Sequence, residues 1–246
     1  MSESISDNPL PPRTFSPLYR SSGNGPQDLL AFFHILERLK TQKRTGWLVK
    51  KIPDAESISD HMYRMGILAM CTNDASLDVP KCVMLALVHD IAEAQVGDIT
   101  PHEGISKAEK RRLEAASSLP GVETPFLIHL QEAMQNFVHE MFHDSPAGQR
   151  IHTLWQEYEE QKTLEAQFVK GEQFDLVRRL VFTFADLDRL EVSLQAREYE
   201  ERHGTPNLQE FYDSSLPSIK HPEVRQWGQD LLGERDRARA SSSSSS

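Results

Sequence analysis

The chain has 246 residues, 38% hydrophobic and 26% charged, enough for a soluble core and too apolar for a disordered chain. Its 27 basic and 37 acidic residues sum to −10, which argues against a nucleic-acid polymer or an anionic membrane as partner but leaves room for a small phosphate-bearing ligand. Cys71 and Cys82 form no C-x-x-C pair, no apolar run approaches ~18 residues, and no signal pattern opens the chain, so the expected compartment is the cytosol or nucleus.

Pro9, Pro11, Pro12, Pro17 and Pro26 lie among Ser, Asn and Gly, so residues 1–26 read as a disordered leader. Leu29, Phe32, Phe33, Leu36 and Leu39 recur at three- and four-residue steps and predict the first helix. A polar loop with Arg44, Thr45, Gly46 and Trp47 follows. Ser57 or Ser59 then caps a helix through Met62, Met65, Leu68 and Ala69, with His61 in its first turn. Asp78 and Pro80 open a third helix, apolar nearly all round from Cys82 to Val88 and therefore expected to be buried. Ser106 and Glu109 read as a capping box for a charged helix through Arg112 and Glu114. Further helices are predicted at Glu132–His143, Arg150–Lys170, Leu187–Glu201 and Pro222–Leu232. Strand alternation is scarce, Val181–Phe184 being the best case, and residues 236–246 read as a disordered tail. The fold class is all-α, with one domain over residues 27–235.

The chemistry concentrates where the apolar helix ends in His89-Asp90, with Glu93 one turn later and Asp98 beyond. Burying so many ionisable groups without partners costs several kcal/mol each, and a divalent cation is an economical compensation. His61 can complete such a site from another helix. A His-Asp pair alone is weak, since His143-Asp144 is a second one; the buried helix before His89 and the shared face with Glu93 distinguish the first.

S-D-H-M-Y-R-M around His61 and L-A-L-V-H-D-I-A-E-A-Q-V-G-D-I from Leu85 to Ile99 resemble the HD-domain metallohydrolases, specifically the 5′-deoxynucleotidases of the HD domain-containing protein 2 type. R-T-G-W at Arg44–Trp47, L-W-Q-E-Y-E at Leu154–Glu159, L-D-R-L-E at Leu187–Glu191 and H-P-E at His221–Glu223 extend the likeness. The resemblance implies a helical bundle with a metal site between helices. It implies one divalent cation (Mn, Co, Mg or similar) on His61, His89, Asp90 and Asp188, and Glu93 as the catalytic residue. A second metal position maps onto Glu93, Asp98 and the backbone oxygen of Ile99. The implied substrate is a deoxyribonucleoside 5′-monophosphate, and the implied assembly a homodimer. Arg44 offers planar donors for phosphate, Trp47 a flat wall for the nucleotide, and Asp98 a probe of the sugar edge.

Three other readings stand beside this one: a non-catalytic nucleotide-binding HD protein, an HD phosphohydrolase of another phosphate ester, and a metallopeptidase. The last rests on His139-Glu140-Met141-Phe142-His143, which matches H-E-x-x-H but lacks the extended continuation. Two stretches, about 116–131 and 171–185, interrupt the resemblance and read as inserts, and His129 in the first is not expected to be a ligand. The second immediately precedes Asp188. As a simple helix extension it would displace that residue by ~22 Å and rotate it by ~60°, so a working site requires it to loop out.

Overall fold

A computed structural model describes residues 17–98, 125–170, 186–204 and 208–243. The expected helix at Ser106–Glu114, the strand candidate Val181–Phe184, residues 116–124 and all of 171–185 lie outside the described residues. The architecture is all-α: the described residues contain no strand, only an isolated antiparallel bridge between Lys43 and Ser57. None of the described helices is long and apolar enough to cross a membrane.

The first predicted helix is two, α1 (Gly25–Ile35) and α2 (Glu37–Thr41), divided at Leu36. Phe32 and Leu39 are buried as the periodicity requires, but Phe33 is 56% exposed, so the apolar stripe is narrower than expected. α3 (Thr45–Val49) carries the R-T-G-W loop, and α4 (Ile58–Met70) follows. α5 (Val79–Val88) starts at Asp78, whose side chain accepts from Lys81 N. Its all-round apolarity does not mean full burial. Met84 and Leu87 are 42% and 47% exposed, because only one side of α5 is covered.

After the short α6 (Glu93–Val96) come α7 (Pro125–Asn136) and a π-helical turn (Phe137–Met141). The helix predicted over Arg150–Lys170 is broken into α8 (Pro146–Glu160) and α9 (Leu164–Lys170). Gln161 at φ 53° is left-handed, and Thr163 Oγ1 accepts from Ala166 N to start the next helix. α10 (Asp186–His203), α11 (Gln209–Ser215), a 3₁₀ turn (Leu216–Ser218) and α12 (Pro222–Ser243) complete the described chain. α12 runs well past the expected end at Leu232.

Among the described residues, two apolar clusters fill the interior. One gathers Met65, Leu85, Tyr158, Leu187 and Leu190; the other gathers Phe32, Ile58, Met62, Ile91 and Phe137. α4 feeds both, which places His61 where they meet. The chain ahead of α1, read as disordered, is held down from residue 17: Pro17 O accepts from Gln95 Nε2, Tyr19 O accepts from Asn136 Nδ2, and Tyr19 and Ser22 donate to Asp28.

Candidate metal centre

Local rules set each candidate ligand in place. Ser57 and Asp60 form a reciprocal capping box that fixes the first turn of α4, so His61 leaves the helix toward α5 and α10. The bridge through Arg44 N and Glu56 O, 3.1 Å, holds the R-T-G-W loop against the same helix start. At the end of α5 the chain tightens into three-residue bonds donated by Ile91 N, Glu93 N, Ala94 N and Gln95 N, bringing His89, Asp90 and Glu93 to one side. Gly97 at φ 84° closes that turn in a conformation open to glycine, and Gly97 N donates to Glu93 O at 2.7 Å. Asp188 lies in the first turn of α10. The helix start is anchored by Asp186, whose carboxylate accepts from Lys220 N and His221 N at 3.0 and 2.8 Å.

The imidazoles of His61 and His89 face each other edge to face at 5.4 Å. Both are anchored through Nδ1, His61 on Glu191 Oε2 at 2.6 Å and His89 on the carbonyl of Ala86 at 2.8 Å. Both Nε2 atoms are buried and make no hydrogen bond. His61 Nε2 lies 3.5 Å from Asp188 Oδ1 and 4.0 Å from Asp90 Oδ2; His89 Nε2 lies 3.0 Å from Asp90 Oδ2. Arg44 spans the two carboxylates, at 3.2 Å from Asp90 and 3.5 Å from Asp188.

Burial, and then the Arg44 charge, push His61 down to about 4, which leaves it neutral with one nitrogen lone pair. Burial lowers His89 too, but the Asp90 carboxylate outweighs it and raises the imidazole. Burial pushes Asp90 up, yet His89 and Arg44 hold it below the usual carboxylate range. Glu93 is driven well above that range by burial and by Asp90 and Asp98, and its Oε2 is buried without a hydrogen-bond partner.

Among the described residues, two groups have potential ligand atoms within 4.8 Å of one another, and His61 belongs to both: His61, His89 and Asp90, and Glu56, His61 and Glu191. The first fits a cation. Two inward Nε2 atoms and a carboxylate, with Asp188 adjoining, form a mixed nitrogen and oxygen donor set at the C-terminal end of α5, where the helix dipole favours positive charge. The second does not, because the 2.6 Å contact between His61 Nδ1 and Glu191 admits a proton and no ion. Glu56 accepts from Trp47 Nε1 at 2.8 Å, and burial pushes the Glu56 and Glu191 carboxyls up to about 7.

The structure thus brings together His61, His89, Asp90, Asp188, Glu93 and Arg44. Asp98 adjoins them with its Oδ2 accepting from Thr45 N at 2.5 Å, while its backbone oxygen takes the Thr45 hydroxyl at 2.6 Å. Ile99 lies outside the described residues. Trp47 corrects an expectation. It is 2% exposed, packed against Tyr199 and Phe211 at ring distances of 5.2 and 4.4 Å, and serves the core rather than offering a wall to a ligand.

The H-E-x-x-H segment is also different from its pattern. Its first three residues lie in a π-helical turn and His143 lies beyond it at φ 49°, so four-residue spacing no longer aligns the imidazoles. His139 pairs with Asp144, His143 with Asp28, and Glu140 accepts from Ser21 N. His129 is exposed beside Glu132. Glu191 and Glu56 were not singled out by sequence; the available signal was Glu191 one turn after Asp188 on the same helix face.

The HD domain family matches residues 36–225 of the chain. The sequence is 38% identical over 222 residues to 5′-deoxynucleotidase HDDC2 of Bos taurus, covering 90% of this chain and 92% of that protein. It is 40% identical over 215 residues to 5′-deoxynucleotidase hdd1 of Schizosaccharomyces pombe, covering 87% and 93%. Among solved structures, HD domain-containing protein YGK1 superposes with a TM-score of 0.57 at 28% identity, covering 88% of this chain and 90% of that one. The PH0347 protein from Pyrococcus horikoshii OT3 gives 0.52 at 25% identity, covering 85% and 98%.

Proposed function

The chain belongs to the HD domain family, and on that premise we propose that it is a divalent-metal-dependent 5′-deoxynucleotidase, hydrolysing deoxyribonucleoside 5′-monophosphates to deoxyribonucleosides and phosphate. The observation that carries this reading is the pair of buried Nε2 atoms on His61 and His89, both without a hydrogen-bond partner and both turned toward carboxylates.

His61, His89, Asp90 and Asp188 would hold the cation, an ion such as Mn, Co or Mg. When bound, such an ion lowers the pKa of a water and neutralises phosphoryl charge, which the slow hydrolysis of a phosphate monoester demands. Arg44 contributes two planar donors on one guanidinium, suited to phosphate oxygens. Glu93 is the proton carrier: its Oε2 is buried at the site and its affinity for a proton is raised, so it can take a proton from water or pass one to the leaving oxygen. Asp98 ties the Arg44 loop to the turn after Glu93 and reads the sugar edge, where an added 2′-hydroxyl is disfavoured. Its alternative role is a second cation position with Glu93 and the Ile99 carbonyl.

The same reading includes a homodimer in the cytosol or nucleus. It is supported by an exposed apolar stripe of Tyr63, Ile67 and Met70 on α4 beside Met84 and Leu87 on α5, and by two free cysteines. Light scattering that returns a monomer removes the dimer.

The decisive experiment measures phosphate release from paired deoxyribo- and ribonucleoside monophosphates, before and after chelation. Release from the deoxy series that stops with chelator and returns with added metal is expected. Release indifferent to chelator, or none with any divalent metal, overturns the proposal.

A further inference from the structure

Helix α10 meets His61 twice. Asp188 stands on the Nε2 side of the imidazole at 3.5 Å, and Glu191, one turn later on the same helix face, stands on the Nδ1 side at 2.6 Å. Glu191 is fully buried and His61 equally so. The other Glu191 oxygen faces Arg64 Nε at 3.5 Å, and Arg64, one turn beyond His61 on α4, also reaches Gln195 and Glu198. Two residues of α4 are therefore locked to successive turns of α10.

We infer that Glu191 is a positioning residue for the metal centre, accepting the His61 Nδ1 proton and so presenting the Nε2 lone pair to the cation. This rests on the metal-dependent reading above. A neutral imidazole has one N–H and one lone pair, and the hydrogen bond at one nitrogen decides which atom is free to ligate. His89 has its Nδ1 proton fixed by a different route, since a carbonyl such as that of Ala86 can only accept. His61 has no such carbonyl at Nδ1, so its tautomer and ring orientation depend on a carboxylate delivered by another helix. The Arg64 guanidinium faces the other oxygen of that carboxylate.

The test is a Co2+ titration of the full chain, followed by visible absorption, on wild type, E191Q and E191A, with thermal unfolding of each. Nitrogen NMR reports the His61 tautomer in the metal-free protein. Affinity per folded molecule is expected to fall by about 10- to 100-fold in E191A. E191Q, which keeps an oxygen acceptor without the charge, is expected between the two, and the wild type is expected to carry its proton on Nδ1. A structural role alone would lower thermal stability and leave the affinity of the folded protein unchanged. Wild-type affinity in E191A, or in E191Q should E191A fail to fold, overturns the role of Glu191. So does a proton found on Nε2 in the wild type. Wild-type protein that takes up no Co2+ overturns the metal reading itself and this inference with it.

Discussion

Arg44 Nη2 lies 3.5 Å from Asp188 Oδ1, and 144 residues of chain separate the two. The contact joins the R-T-G-W loop to the first turn of α10 and brings the candidate phosphate-binding cation to the candidate metal ligands. The same Asp188 oxygen stands 3.5 Å from His61 Nε2.

Asp188→Ala removes a carboxylate from beside His61 Nε2 and leaves Arg44 with one partner fewer. Metal content of the purified protein is expected to fall toward zero and phosphate release by more than about 100-fold. Elemental analysis beside the assay checks both; full activity in this variant would remove Asp188 from the ligand set.

Arg44→Lys keeps the charge but loses the planar fork that spans Asp90 and Asp188. It is expected to resemble Arg44→Ala, with kcat/KM down by at least about tenfold in both, because a point charge does not reproduce two parallel donors. Lysine restoring wild-type kinetics would show that charge alone matters.

Trp47→Ala separates a core role from a ligand wall. Deleting this buried ring from between Tyr199 and Phe211 is expected to cost about 3–5 kcal/mol of stability. Wild-type KM is expected in the fraction that remains folded. Denaturant unfolding and kinetics on the same preparation decide it, and a raised KM at unchanged stability would return Trp47 to the substrate.

Glu140→Gln tests the H-E-x-x-H segment. Glu140 accepts from Ser21 N and takes no part in the metal centre, so deoxynucleotidase activity is expected within about twofold of wild type, while Asp90→Ala abolishes it. The reverse pattern would move the chemistry to this segment.

Asp28 gives a pH dependence. Burial pushes its carboxyl up, but hydrogen bonds from Tyr19, Ser21 and Ser22 outweigh this and hold it well below its ordinary value of 3.8. A carboxylate lowered in the folded state stabilises above that ordinary value, and the contribution is lost as pH falls below it. Residues 17–24 are therefore expected to exchange amide hydrogens and to be cleaved by protease much faster in Asp28→Asn at neutral pH, and in the wild type their protection factors are expected to decline progressively as pH falls below about 4. Protection unchanged in Asp28→Asn would show that other contacts hold this segment.

Local sequence determined much of this molecule. Periodicity gave the helices, Ser57 and Asp78 their starts, and the end of α5 the cluster of His89, Asp90 and Glu93, because capping and helical spacing act over a few residues. The same short range explains the misreadings. A stripe at Phe33, or an apolar run at Met84 and Leu87, says that a surface is oily and not whether anything covers it. Only the tertiary structure put Trp47 in the core, broke the H-E-x-x-H face with a π turn, and set Glu191, 130 residues away, against His61. Which nitrogen of a histidine is left to bind an ion is settled by the group that meets the other nitrogen, and here that group comes from a distant helix.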